Sequence, residues 1–218
     1  MLSLMKCRVG GCVLIGLPLI FSQSTVSKPQ RPASQKDVNV HFTSPDGMFA
    51  FEYPKSLIKC EKDPKQENRW IPARSCEAYT PVCTDAASTK DAIVVCIAYP
   101  AETIIGTNFQ AAAFSVSRLD AITADECLRV TEPHPATSHR KKVNGVTFDV
   151  FDVGGPAAGN WLAADAYRNF HQNTCYELDL RVAFVSMGAF DPGTVKEFDG
   201  EAVDRSLKSA LDTFKFLK

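Results

Sequence analysis

An α+β fold, a mostly antiparallel sheet of six to seven strands with helices packed on it, is predicted by three patterns in the sequence. Segments of apolar/polar alternation recur, beginning with Val38, Val40 and Phe42 set against Asn39, His41 and Thr43, the period of a half-buried strand. Turn chemistry separates these segments, above all Asn144-Gly145, which suits a two-residue hairpin. One C-terminal segment changes period: Val203, Leu207, Ala210, Leu211 and Phe214 fall at i, i+4, i+7, i+8 and i+11 on one helical face. Strands followed by one amphipathic helix read as helix packed on sheet.

The first residues predict export. Lys6 and Arg8 supply a positive start, Val9 to Phe21 form a short apolar run broken by Gly10, Gly11, Gly16 and Pro18, and Ser22-Gln23-Ser24 places small residues before a cleavage point. That is the layout of a secretory signal peptide over residues 1–24. The run falls short of the about 20 apolar residues that span a bilayer. A lipobox reading of Val9-Gly10-Gly11-Cys12 fails because the apolar stretch follows Cys12 instead of preceding it. Residues 25–37, polar with two prolines, read as a flexible tether. The rest, 38–218, is expected to be a single domain.

Removing residues 1–24 from 218 leaves 194, enough for a real core. The leader takes two of the 24 basic residues and none of the 25 acidic ones, so the mature chain carries 22 and 25, a formal charge of −3. This near balance, with signs mixed along the chain, argues against nucleic acid as a partner. No second long apolar run follows, so no transmembrane segment is expected in the mature chain, which is placed as secreted or periplasmic.

The elements follow in order. Ser44-Pro45-Asp46-Gly47 turns the first strand into a second, with Phe49, Phe51 and Tyr53 alternating with Met48, Ala50 and Glu52 up to Pro54. About 55–91 is an irregular, cysteine-rich insertion with Trp70, of a length that needs cross-links to be ordered. Ile93 to Tyr99 reads as a strand covered on both faces. For 107–119 a helical turn or two around 107–112 is expected, from Ala111-Ala112-Ala113, and then a strand. Thr123-x-x-Glu126 is the pattern of a capping box before Cys127. Residues 131–141 read as a loop. Val146, Phe148 and Val150 alternate through the strand after Asn144-Gly145, Gly154-Gly155-Pro156 ends it, and Trp161–Phe170 and Thr174–Val185 pair around His171-Gln172-Asn173. Residues 186–198 are a loop, and Asp199 is the N-cap of the last helix, with Lys208 on the face opposite its apolar stripe.

The hairpin from Phe42 to Pro54, Phe42-Thr43-Ser44-Pro45-Asp46-Gly47-Met48-Phe49-Ala50-Phe51-Glu52-Tyr53-Pro54, resembles the opening of PsbP/Mog1-like domains, and the closing helix with Phe214-Lys215-Phe216 is similar to their end. The resemblance covers the two ends of the domain and departs from the family in the cysteine-rich middle. It implies an antiparallel sheet between helices and a non-catalytic accessory or binding role. It carries over no functional residues.

Six cysteines lie beyond the leader: Cys60, Cys76, Cys83, Cys96, Cys127 and Cys175. An even number in an oxidising compartment reads as disulfides. Six permit 15 connectivities. Of these, Cys60–Cys96 is suggested by strand pairing and Cys76–Cys83 by a small loop, which leaves Cys127–Cys175. No C-x-x-C pair supports a redox or zinc motif, and no metal or cofactor is expected.

Other constellations carry weaker chemistry. His171-x3-Cys175 would serve a nucleophile only with a free thiol. Glu177 and Asp179 share a strand face about 7 Å apart, the spacing of a glycosidase pair. His139-Arg140-Lys141-Lys142 reads as a solvated hairpin tip, and His134 as a loop residue. Gly154, Gly155, Trp161, Tyr167 and Phe170 are the candidate binding surface, a Gly-rich stretch that allows close approach beside aromatic side chains. The function expected is an exported, disulfide-stabilised, non-catalytic binding or accessory protein for an unknown protein or small-molecule ligand. The alternatives are a secreted hydrolase using carboxylates or His171, and a self-assembling envelope protein.

Overall fold

The computed structural model describes residues 38–65, 69–77, 82–83, 93–119, 123–129, 138–157 and 159–218. The chain divides into two units, Met1–Gln35 and Lys36–Lys218, and every described residue belongs to the second. The expected leader (1–24), the tether (25–37) and His134 lie outside the described residues.

In chain order the elements are β1 (Asn39–Thr43), β2 (Phe49–Pro54), β3 (Ile58–Lys59), β4 (Glu61–Lys62), β5 (Trp70–Ile71), α1 (Ala73–Cys76), β6 (Ile93–Ala98), β7 (Phe109–Leu119), α2 (Ala124–Cys127), β8 (Ser138–Val143), β9 (Val146–Asp152), β10 (Gly155–Ala157), β11 (Asn160–His171), β12 (Thr174–Val185), α3 (Gly200–Asp212) and β13 (Lys215–Phe216). The large sheet runs β3-β6-β7-β12-β11-β9-β8, with β10 added beside β9 along β11. Its strands pair antiparallel. A three-stranded sheet, β1-β2-β13, stands apart from it.

The opening hairpin pairs Phe42 with Phe51 and Thr43 with Ala50. Ser44 closes its turn by accepting from the Met48 and Phe49 amides at 3.0 and 3.1 Å. The aromatic side chains of β2 do not join the large sheet edge to edge. They pack onto its face: Phe51 meets Phe114 edge-on at 5.2 Å, and Phe49 stacks on Phe214 at 5.4 Å. Asp199 caps α3 by accepting from the Ala202 amide at 2.9 Å. The helix buries Val203, Leu207, Ala210 and Leu211 against Phe114, Leu178 and Leu180. Each such side chain stabilises by about 1.5–3 kcal/mol. One face of the large sheet is thus covered jointly by α3 and the small sheet.

Two local expectations change. Residues 109–119 are one continuous strand, with no helical turn around 107–112. Ala111, Ala112 and Ala113 are fully buried there, and α1 packs against this strand. Small side chains at this place make room for a close neighbour, a tertiary reason that overrides helix propensity. The hairpin around Asn144-Gly145 also reaches further back than expected, since β8 starts at Ser138 inside the anticipated loop. Its Arg140, Lys141 and Lys142 place charge on the sheet's edge strand, which discourages pairing with another chain.

The Thr123–Glu126 capping box is present, the Glu126 amide donating to Thr123 Oγ1 and the Thr123 amide to Glu126 Oε2. The Thr123 amide and the Thr123 hydroxyl, both donating to Glu126 Oε2, hold the Glu126 carboxyl below its ordinary pKa. The β11–β12 hairpin turns on Gln172 and Asn173, both at positive φ (47° and 60°).

Three disulfides cross-link the domain: Cys60–Cys76, Cys83–Cys96 and Cys127–Cys175. The first two differ from the anticipated Cys60–Cys96 and Cys76–Cys83. The β3–β6 ladder does bring Cys60 beside Cys96, whose carbonyl accepts from the Cys60 amide at 2.9 Å. The partners are chosen instead by α1, which carries Cys76 to Cys60 and leaves Cys83 to close onto β6.

A candidate binding cleft between the sheet and the last helix

Alternation along β11 places Trp161, Ala163 and Asp165 on the face that α3 covers. Asp165 pairs with Leu180 of β12 on one side and with Asp152 of β9 on the other. Beside the helix lies a cleft of about 280 Å³. Gly154, Gly155 and Trp161 form one wall, Leu180, Val182 and Leu207 the floor, and Asp152, Asp165 and Asp204 supply its charge. Trp161 is 44 % exposed, an unusual amount for so large an apolar side chain.

Gly154 is required by this geometry. A Cβ built on it would lie 2.4 Å from the Leu162 carbonyl oxygen and 2.9 Å from the Ala164 amide nitrogen. Here the chain steps from β9 to β10 while both lie along β11, with the Val153 amide donating to the Ala164 carbonyl at 2.9 Å. Asp152 steadies the step by accepting from the Gly154 amide at 3.1 Å. Gly155 meets no such neighbour.

The electrostatics are unbalanced toward the negative. Burial is the main force raising the Asp165 carboxyl above its ordinary pKa, and the Asp152 charge adds to it against the pull of Lys208, Lys141 and His139. Lys208 turns toward the cleft instead of away from it, donating to Asp204 Oδ2 at 2.8 Å. That hydrogen bond holds the Lys208 ammonium above its usual value. The helical period places Lys208 on the face opposite the apolar stripe; in the structure it pairs one turn along the helix with Asp204, which lines the cleft.

The remaining anticipated residues do not converge here. Tyr167 shares the Trp161 face but is only 2 % exposed. Its hydroxyl lies 3.3 Å from Lys141 Nζ, and burial pushes its pKa up to about 12. Phe170, half-buried, has the alternation of the opposite face. Sequence reasoning missed Asp152, Asp165 and Asp204; the cross-strand register that juxtaposes the first two carries no local signal.

Two catalytic patterns dissolve. Cys175 is bonded to Cys127, so His171 has no thiol to activate. The imidazole stacks on Phe216 at 4.0 Å, with Nε2 2.6 Å from the Lys218 carbonyl oxygen. Glu177 and Asp179 are fully buried on the other face of the sheet. Arg168 Nε donates to Glu177 at 2.6 Å, and Arg181 lies 3.6 Å from Asp179. Carboxylates neutralised by arginine and shut from solvent cannot meet a glycoside. Arg168 also donates to the Arg129 carbonyl at 2.9 Å, tying the end of α2 to the sheet.

A second cleft, of about 270 Å³, is lined by His41, Phe51, Glu52, Asn144, Asp212, Thr213 and Lys215. Its charges are mixed, and none of the exposed large apolar side chains lines it.

No protein-family model and no curated protein matches the chain. The chain is similar to a crystal structure from Bacteroides thetaiotaomicron VPI-5482, at 11 % identity and a TM-score of 0.44 over 82 % of this chain and 48 % of that one. It spans about half the length of that structure. It is also similar to the solution structure of cyanobacterial PsbP (CyanoP) from Synechocystis sp. PCC 6803, at 10 % identity and a TM-score of 0.39, covering 87 % of this chain and 99 % of that one.

Proposed function

We propose that this is an exported, disulfide-stabilised, non-catalytic binding or accessory protein, and that the cleft beside Trp161 receives a positively charged group carried on an apolar body. The observation that carries the reading is one exposed indole beside three carboxylates above an apolar floor. An aromatic face attracts a cation by about 0.5–2 kcal/mol. Carboxylates and the half-buried setting add attraction of the same sign. Export is supported by the leader-like start and the three disulfides, which persist in oxidising compartments. No helix among the described residues is long and apolar enough to cross a membrane.

Benzylamine and its neutral counterpart benzyl alcohol test the cleft, with amide NMR shifts at Gly154, Gly155 and Ala163 as readout. Benzylamine is expected to shift these amides and benzyl alcohol not to, and Trp161→Ala or Asp165→Asn is expected to remove the effect. Equal response to both compounds would overturn the reading. Asp165, raised in pKa beside Asp152, also favours a second reading, hydrolysis by this carboxylate pair. Release of nitrophenol from nitrophenyl glycosides, lost in Asp165→Asn, would put catalysis in place of binding.

A further inference from the structure

Two of the three disulfides touch. The Sγ atoms of Cys60, Cys83 and Cys96 all lie within 4.8 Å of one another. Cys76 Sγ, bonded to Cys60, borders the same group. We propose that Cys60, Cys76, Cys83 and Cys96, once reduced, form a four-thiolate site for a soft tetrahedral divalent metal of the zinc class.

The geometry is close to what such a centre needs. Zinc binds thiolate sulfur at about 2.3 Å, so the sulfurs of a tetrahedral site stand about 3.8 Å apart. Reduction frees the two bonded pairs, Cys60–Cys76 and Cys83–Cys96, to open to that spacing, and Cys60, within 4.8 Å of Cys83 and Cys96, needs to close on them by no more than roughly 1 Å. The fold supplies the convergence that the sequence, with no C-x-x-C pair, does not. The β3–β6 ladder sets Cys60 beside Cys96. The α1 helix brings Cys76 from above and packs on both β6 and β7. Val82, Ala98, Ala111, Ala113 and Ala183 wall the group, and each of the four cysteines is 5 % exposed or less. Thiols in such an apolar box resist ionisation on their own. A metal that replaces their protons removes that penalty, and water is kept from competing.

The chemistry balances without an unnamed reagent. Two equivalents of a dithiol reductant deliver four electrons and four protons, breaking Cys60–Cys76 and Cys83–Cys96 and leaving four thiols and two oxidised dithiols. The metal ion then displaces four protons and forms four metal–sulfur bonds, with no change in its oxidation state. Affinity therefore falls with acid. A third equivalent reduces Cys127–Cys175, whose two thiols lie outside this sulfur group and serve as an internal control.

The full chain, reduced with a dithiol that is then removed under anaerobic conditions, is titrated with Co²⁺ and then with Zn²⁺. One Co²⁺ per chain is expected, with sulfur-to-cobalt charge-transfer absorption and tetrahedral ligand-field bands, displaced by Zn²⁺. Cys60→Ser and Cys83→Ser are each expected to lose the four-sulfur spectrum, and Cys127→Ala/Cys175→Ala to retain it. Because every chain in the comparison is fully reduced, none of these variants loses a cross-link that the wild type keeps. No charge-transfer band in the reduced wild type, or an unchanged spectrum in Cys83→Ser, overturns the proposal. This result is independent of the Trp161 cleft.

Discussion

Asp152 and Asp165 stand directly opposite each other in the β9–β11 ladder. Like charges in that position destabilise a sheet, and here the cost coincides with the wall of the open cleft. Asp165→Asn removes both the repulsion and the burial of a charge. With the folded-state pKa raised, the native state holds its proton above the pH at which the unfolded chain releases it. Wild-type stability therefore falls as pH rises from the ordinary aspartate range through the raised value. The variant is expected to be more stable than wild type at neutral pH and to lose that advantage below the ordinary aspartate range. Denaturant melts across pH check this; an advantage that grows toward acid would contradict the assignment.

Gly154→Ala forces a Cβ into the Leu162 carbonyl. The backbone must move, at a cost of about 1–3 kcal/mol, and β10 should peel from β11. Gly155→Ala next to it, with open space around its Cα, is expected to be within about 0.5 kcal/mol of wild type. Urea midpoints distinguish the two, and Trp161 fluorescence should shift only in the first.

The Arg168–Glu177 pair is buried on both sides. Glu177→Leu leaves the guanidinium uncompensated and is expected to cost about 3–5 kcal/mol, whereas Arg168→Met combined with Glu177→Leu should recover much of that loss. Thermal unfolding of the single and double variants makes the comparison. A double variant as unstable as the single one would mean that the hydrogen bond from Arg168 to the Arg129 carbonyl outweighs the ion pair.

Leu211→Ala is expected to cost about 2–5 kcal/mol, since the side chain is fully buried beneath α3. Arg205→Ala, whose side chain is 66 % exposed and paired with Glu201, should change stability by less than about 0.5 kcal/mol. Equal denaturant midpoints would show that the helix does not dock.

Intact mass and thiol titration examine export together. The purified exported protein is expected to lack residues 1–24 and to show no titratable thiol, native or denatured. A chain retaining Met1, or one with a reactive Cys175, would contradict the oxidising-compartment reading.

Local patterns were enough for the elements whose signals lie within a few residues. The Asn144-Gly145 and Ser44–Gly47 turns, the Thr123–Glu126 cap and the apolar face of α3 are read from neighbours in sequence, and each has a short-range physical cause. What tertiary structure decided involves residues far apart in the chain. Ala111 and Ala113 lie in a strand beneath α1, where small side chains admit the helix, and Ala112 faces the main core on the other side, which local helix propensity cannot anticipate. Cys60 pairs with Cys76 and not with its ladder neighbour Cys96 because a four-residue helix delivers the nearer sulfur. The Trp161 end of the cleft was legible as an aromatic beside glycines. Its charge was not, because Asp152, Asp165 and Asp204 meet only through cross-strand register and the docking of a helix, and register couples residues at separations that no local pattern encodes.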